Sequence, residues 1–200
     1  MFKNRRILGI LGCVLSGAWM PLVEAQETDT FVSPVTQVDY GQLAEALEVG
    51  DWKTANTYTI SLLYQAAGVI EEANNFRQVP CEDVQLVENL WQTASEGRFG
   101  FGVQLGAYQA AGNRPGRLAN PTNYEAFGER VGWRQAGSWV AFIGNLNYSL
   151  DAPVGHLPAV RNTYEITGGR LNYSLQISQR VAQCGLDSTL APTPLPAFQL

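Results

Sequence analysis

Apolar side chains recur at intervals of three and four residues over the first third of the chain, which is the spacing of one helix face. A first run over 40–49 ends at Gly50, and a second run from Trp52 follows Asp51 and ends at Gly68. Asp is a favoured N-cap residue, and glycine commonly follows the last residue of a helix. The pattern therefore predicts two helices joined by a tight turn, as a helical hairpin.

Further helical runs are predicted along the rest of the chain. The apolar positions indicate a third helix over 82–96, a fourth over about 103–111 and a last one over 169–183. A long irregular segment over 112–123, with two prolines, precedes a short helix that ends near Val131. Loops of this length often cover a functional site.

Proline, glycine and polar residues mark the parts of the chain that we expect to lie outside helices. Residues 132–155 contain several turn signals and are predicted to be loop, with at most a short extended piece. A polar stretch over 26–38 indicates a linker, and the proline-rich end over 186–200 is predicted to be extended and mobile. The remaining residues, 39–185, are predicted to form one all-α domain with about five to six helices and long loops.

The first 25 residues have the pattern of a secretory signal peptide. Three basic residues precede an apolar stretch over 7–23, and small residues lie at the predicted cleavage site after Ala25. We therefore expect residues 1–25 to be removed and the rest to be secreted, into a periplasm or a thylakoid lumen. An uncleaved anchor is the alternative, although a short apolar run that contains Pro21 is marginal as a membrane span.

The charge of the secreted part argues against two classes of partner. The whole chain has a formal net charge of −5. Without residues 1–25 it keeps 10 basic and 17 acidic side chains, which gives −7. Nucleic acids and anionic membrane surfaces are bound by basic patches. We therefore expect no nucleic-acid partner and no binding to an anionic membrane surface. We also expect no transmembrane segment in the secreted chain.

Two cysteines, Cys81 and Cys184, remain after the predicted cleavage. An oxidising compartment makes their pairing the default. The disulfide would tie the start of the third helix to the end of the last one. The alternative is a pair of buried free thiols.

The residues needed for catalysis or metal binding are sparse. His156 is the one histidine, and it lies in a rigid turn with no marked nucleophile, so a buried histidine bonded to backbone is the favoured interpretation. The glycine-rich stretch over 97–102 lacks the order of a phosphate loop. Adjacent carboxylates such as Glu82 and Asp83 indicate solvated surface. We expect no catalytic residue and no metal site.

A set of short motifs occurs in a fixed order over roughly 39–160. It comprises Asp39-Tyr40, Asp51-Trp52, Pro80-Cys81, Leu90-Trp91, Gly97-Arg98-Phe99-Gly100-Phe101-Gly102-Val103-Gln104, Val131-Gly132-Trp133, Trp139, Ala152-Pro153 and Gly155-His156-Leu157-Pro158. In this order the motifs resemble the genomes-uncoupled-four family, whose members bind porphyrins and stimulate magnesium chelatase. The chain would be an exported member.

The resemblance implies a small, cupped helical domain whose apolar palm takes a porphyrin such as protoporphyrin IX or Mg-protoporphyrin, with haem also possible. A flat apolar macrocycle needs aromatic and aliphatic walls and a few cations for its propionates. The candidate walls are Phe99, Phe101, Tyr108, Trp139, Phe142 and Leu146, and the candidate cations are Arg114, Arg117, Arg130 and Arg134. Core packing is the alternative for each aromatic, and solvated surface for each arginine. The cleft is predicted between the fourth helix and residues 112–148.

Two departures from the family bear on function. Typical members carry a basic residue two positions after the tryptophan matched by Trp139, where this chain has Ala141. Export would also separate the domain from magnesium chelatase, which makes that enzyme an unlikely partner. The sequence thus predicts a non-enzymatic porphyrin carrier, buffer or sensor, or alternatively a protein-interaction module that kept the fold without the ligand.

Overall fold

The computed structural model describes residues 31–68, 76–162 and 164–186. The predicted signal peptide, residues 26–30 of the predicted linker and nearly all of the predicted tail lie outside these residues. The helices, in chain order, are α1 (Gly41–Glu48), α2 (Trp52–Ala66), α3 (Cys81–Ala94), α4 (Phe101–Ala110), α5 (Pro121–Arg130), α6 (Arg170–Asn172) and α7 (Ser178–Gln183). A π-helical stretch, Tyr173–Ile177, joins α6 to α7, so that 170–183 form one helical rod.

The other elements are short. Two 3-10 turns occupy Phe76–Gln78 and Ile143–Asn145. The described strands are β1 (Arg134–Gln135) and β2 (Ser138–Trp139), which pair antiparallel. The predicted all-α class is therefore confirmed. No helix among the described residues has the length and apolar character needed to cross a bilayer.

Local sequence signals explain most of the helix boundaries. The Asp51 carboxylate accepts a hydrogen bond from the backbone N–H of Thr54 at 3.1 Å and so caps α2. Asn120 caps α5 in the same way, through the N–H of Thr122, and Pro121 occupies the first helical position. These caps satisfy backbone donors that would otherwise lack a partner at a helix start.

Asp83 is fully buried, so its prediction as solvated surface was wrong. Its carboxylate accepts hydrogen bonds from the hydroxyls of Ser33 at 2.9 Å, Thr36 at 2.7 Å and Tyr40 at 2.8 Å. Three donors compensate for the loss of water around the charge. Residues 31–38 are thereby held against α3, and the folded part begins before residue 39, where the sequence placed its start.

Aromatic rings fill much of the core. One group lies where α2, α3 and the start of α4 meet, with Phe99 in edge contact with Trp52 at 5.5 Å and Trp91 at 6.2 Å between ring centroids. A second group joins α4, α5 and the 170–183 rod, and its buried members are Tyr108, Tyr124, Phe127, Trp133 and Tyr173. Edge-on and tilted aromatic pairs stabilise the fold by more than the apolar area that they bury accounts for.

The predicted disulfide between Cys81 and Cys184 is present, with the two Cα atoms 5.1 Å apart and a sequence separation of 103. It joins the first residue of α3 to the end of the 170–183 rod. Two hydrogen bonds support the same junction. The Gln85 amide donates to the carbonyl of Cys184 at 2.9 Å, and the Arg180 guanidinium donates to the carbonyl of Val79 at 2.6 Å.

Replacement of both cysteines, as Cys81→Ser with Cys184→Ser, should lower the free energy of unfolding by about 2–5 kcal/mol, because the disulfide restricts a loop of about a hundred residues in the unfolded chain. Urea unfolding of the oxidised wild type and the double variant measures the difference. A wild type that yields two free thiols on denaturation without reductant would contradict the pairing.

Candidate ligand-binding site

Two irregular segments pair side by side after the β1–β2 hairpin. We call residues 139–148 together with 161–162 and 164–168 the arch. Phe142 and Tyr164 form an antiparallel bridge, and the N–H of Glu165 donates to the carbonyl of Ala141 at 2.9 Å. The Phe142 and Tyr164 rings lie 4.8 Å apart between centroids. The arch therefore presents a pair of aromatic rings on an extended backbone.

The outer side of the arch is apolar and open. The exposed fractions are 52% for Phe142, 56% for Tyr164 and 65% for Ile166. Clusters of exposed large apolar side chains are uncommon on soluble monomers and often mark binding sites. The three side chains are therefore the strongest apolar candidate for a ligand contact on the arch.

Trp139 anchors the arch to the rest of the domain. Its half-buried ring lies 5.3 Å from the Tyr124 ring between centroids. The same ring lies against Gly128 of α5 and Gly168, and a Cβ at either glycine would overlap it. The two glycines thus leave the space that the indole needs, and the position of the arch depends on this contact.

Arg161 belongs to the second segment of the arch, and its side chain is buried, with only 5% exposed. Its Nη2 donates to the carbonyl of Val140, whereas Nε and Nη1 are buried without a hydrogen-bond partner in the described residues. Glu165 does not form an ion pair with Arg161. The Glu165 carboxylate instead accepts hydrogen bonds from the backbone N–H and the hydroxyl of Thr167. Burial lowers the pKa of Arg161, because the charged form has lost its hydration. The Glu165 carboxylate attracts the guanidinium at longer range, but no carboxylate of the described residues lies within ion-pair distance of it.

The other candidate cations are either paired or exposed. Arg134 forms ion pairs with Glu125 at 3.3 Å and with Glu129, both on α5. Its charge is thus already compensated. The remaining three candidates are exposed: Arg114, Arg117 and Arg130.

The predicted wall residues divide into two groups. Phe99, Phe101 and Tyr108 are buried in the core, the alternative that the sequence left open for each aromatic. Leu146 is also buried, whereas Trp139 and Phe142 belong to the arch. Among the predicted wall residues, accessible apolar surface is thus confined to 139–148, although Leu118 of the predicted cleft is also 50% exposed. Between α4 and α5 the space is filled by the ring of Tyr108.

Sequence reasoning did not single out Arg161, Tyr164 or Ile166. Arg161 follows Pro158 by three positions and lies just beyond the matched motifs. The alternation of Tyr164, Glu165 and Ile166 is the period of an extended strand, which places the two apolar side chains on one face. That alternation was the available signal, but three residues are too few to establish a strand.

Both ring nitrogens of the one histidine, His156, contact the backbone. Nδ1 of His156 contacts the carbonyl of Val131, and the N–H of Asn147 donates to Nε2 at 3.1 Å. Burial lowers the pKa of His156, since the charged ring would lose its hydration. The prediction of a buried turn histidine bonded to backbone is confirmed. Among the described residues, no cluster of three or more Cys, His, Asp or Glu side chains is placed to hold a metal ion.

The profile of the GUN4-like family matches residues 34–176 of this chain. The chain belongs to the GUN4-like family. Its members are regulatory domains that bind tetrapyrroles. The family suggested by the ordered motifs is thereby confirmed, and the arch lies within the matched part.

Several relatives are similar in sequence. The uncharacterized protein ycf53 of Porphyra purpurea is 30% identical over 128 residues, which cover 61% of this chain and 50% of the relative. The Ycf53-like protein of Synechocystis sp. is 28% identical over 144 residues, which cover 69% and 57%. This chain thus spans about half the length of the curated relatives it matches.

Solved structures show the same fold. The structure of GUN4 from Chlamydomonas reinhardtii superposes with a TM-score of 0.56 at 23% identity, and the match covers 76% of this chain and 92% of that one. The ligand-free structure of Arabidopsis thaliana GUN4 gives 0.51 at 23% identity, with 68% and 90% covered. At this identity the likeness concerns the fold alone.

Gly128→Ala tests the contact between α5 and Trp139. Alanine normally stabilises a helix interior by about 1 kcal/mol relative to glycine. Here the added methyl overlaps the Trp139 ring, so we expect a net loss of about 1–3 kcal/mol in the free energy of unfolding. Chemical denaturation followed by tryptophan fluorescence measures it. Gly144→Ala is the control, because a Cβ there meets nothing within 4 Å. A more stable Gly128→Ala variant would contradict the contact.

Proposed function

We propose that this domain binds a porphyrin on the arch and acts as a carrier, buffer or sensor rather than as an enzyme. The observation that carries the proposal is the exposed aromatic pair of Phe142 and Tyr164, with Ile166 beside it. A porphyrin presents a flat apolar face, and aromatic rings are the side chains that pack best against such a face. Membership of a tetrapyrrole-binding family supports the same ligand class.

The arch suits a ligand that packs its flat face against the exposed rings and binds through its own acid groups. Such binding requires no axial protein ligand, so protoporphyrin IX, its magnesium form and haem are all compatible with it. If about 200 Å² of apolar surface is removed from water, the gain is about 5 kcal/mol before the cost of association. We therefore expect micromolar affinity from face packing alone.

Phe142→Ala should weaken the binding of protoporphyrin IX about tenfold, because the variant removes one of the two exposed rings. Titration of residues 26–200 with the porphyrin, followed by quenching of tryptophan fluorescence, gives the affinity. Val49→Ala is the matched control, since Val49 is 73% exposed but lies after α1. Absence of saturable binding at about tens of micromolar in the wild type would refute the ligand proposal.

The second candidate function is a protein-interaction module. The same exposed apolar side chains favour it, because apolar patches also form protein interfaces. The net charge of −7 expected after cleavage would then select basic partners. This candidate takes the place of the first if the wild type binds no porphyrin while the arch remains folded.

The compartment sets the biological role. We propose that residues 1–25 direct export to a periplasm or thylakoid lumen, which would keep the domain away from magnesium chelatase. Fusion of residues 1–30 to a reporter should send the reporter out of the cytoplasm, and fusion with Lys3, Arg5 and Arg6 changed to Ser should reduce this, because the basic n-region is part of the signal. A wild-type fusion that stays cytoplasmic would contradict export and would restore the chelatase as a candidate partner.

A further inference from the structure

We propose that Arg161 binds a carboxylate of the ligand, and that the arch shifts to admit it. The inference rests on the proposed function, and it adds the chemical group that the site selects. Its starting point is the burial of a guanidinium that makes one hydrogen bond, to the Val140 carbonyl, and leaves Nε and Nη1 without partners. A guanidinium can donate five hydrogen bonds, so most of its capacity is unused.

The other buried charges of the described residues have their partners within the fold. Asp83 accepts three hydroxyl hydrogen bonds. Glu88 accepts from two backbone N–H groups and the Gln92 amide. Arg134, which is only partly buried, has two carboxylates within ion-pair distance, although its Nε also lacks a hydrogen-bond partner among the described residues. A buried charge without such compensation is costly to the fold, so its presence calls for a role outside packing.

The first segment of the arch contacts the guanidinium through the Val140 carbonyl. It is held through the N–H of Val140, which donates to the Trp133 carbonyl at 2.9 Å, and through the N–H of Glu165, which donates to the Ala141 carbonyl. A carboxylate is a stronger partner for arginine than a backbone carbonyl, and it can bind the guanidinium through two oxygens. A ligand acid group would therefore displace the Val140 carbonyl and satisfy the remaining donors.

The exposed rings near Arg161 favour a carboxylic acid that is attached to a large apolar group. Phe142 and Tyr164 flank the positions of Val140 and Arg161 along the two paired segments, and both rings are exposed. A small anion would gain nothing from these rings, whereas a porphyrin carboxylic acid offers a flat face and a carboxylate together. The expected ligand class is therefore an amphiphilic macrocycle with free acid groups, in preference to its esters.

The distinguishing experiment compares deuteroporphyrin IX with its dimethyl ester, in the same detergent buffer, on wild type, Arg161→Met and Arg161→Lys. The two probes share the macrocycle face and differ in acid groups. We expect the wild type to bind the acid at least about tenfold more tightly than the ester, given the worth of a charged hydrogen bond. Arg161→Met should lose this preference with ester binding unchanged, and Arg161→Lys should keep part of it.

Stability measurements separate ligand recognition from a structural role. Arg161→Met removes a buried charge that has no ion-pair partner among the described residues, and it retains an apolar stem, so its melting temperature without ligand should equal or exceed that of the wild type. Arg134→Met is the matched control. It should melt lower, because it leaves Glu125 and Glu129 without their partner, and it should keep the acid preference.

Each outcome bears on one of the two proposals. Equal binding of acid and ester by the wild type, or an acid preference that survives in Arg161→Met, overturns the role of Arg161 and leaves porphyrin binding in place. Failure to bind either probe overturns the proposed function and this inference together. If Arg161→Met does not fold, the uncompensated-charge argument is wrong, and Arg161→Lys then decides whether the acid preference depends on this position.

Discussion

The buried carboxylate of Glu88 sets the place where α4 begins, and much of the domain depends on it. It accepts the backbone N–H groups of Phe101 and Gly102, the latter at 3.1 Å, which are the first two donors of that helix. Burial raises the pKa of Glu88, although these bonds and one from Gln92 oppose the rise. A Cβ at Gly100 would lie 2.8 Å from both carboxylate oxygens, so the close approach requires glycine there. Close packing against the Glu88 carboxylate thus explains why the stretch over 97–102 contains glycine at position 100.

The position of α4 in turn orders the aromatic core beneath the arch. Tyr108 of α4 packs edge-on against Phe127 of α5 at 5.3 Å, and Tyr124 of α5 contacts Trp139. The site is therefore built at the end of a chain of contacts that begins at α3. The disulfide closes the same assembly from the other side, since it ties the 170–183 rod, with Tyr173, to the start of α3. The packed helices thus form the support, and the arch lies on them with Phe142, Tyr164 and Ile166 exposed.

The helices could be predicted because their signals, the apolar spacing and the capping residues, lie within or next to each helix in sequence. As predicted, α2 begins after Asp51 and ends before Gly68. The cysteine pairing followed from the predicted compartment. The burial of Asp83 could not be predicted, because its hydroxyl partners lie 43 to 50 residues away in sequence. Nor does sequence distinguish a core ring such as Phe99 from an exposed one such as Phe142. That difference depends on which other elements pack over each ring.

The relation between Ala141 and Arg161 bears on the proposed carboxylate site. The resemblance placed an expected cation at position 141, where this chain has alanine. In the structure the Ala141 carbonyl pairs with the N–H of Glu165, and the neighbouring Val140 carbonyl contacts the Arg161 guanidinium. A cation thus lies on the adjacent segment, underneath the surface. Burial of a cation without an ion-pair partner lowers the stability of the fold. Part of the free energy gained from the acid group would offset this loss, so the acid group would contribute selectivity more than affinity. That is the property a porphyrin carrier needs if it must release its ligand as well as bind it.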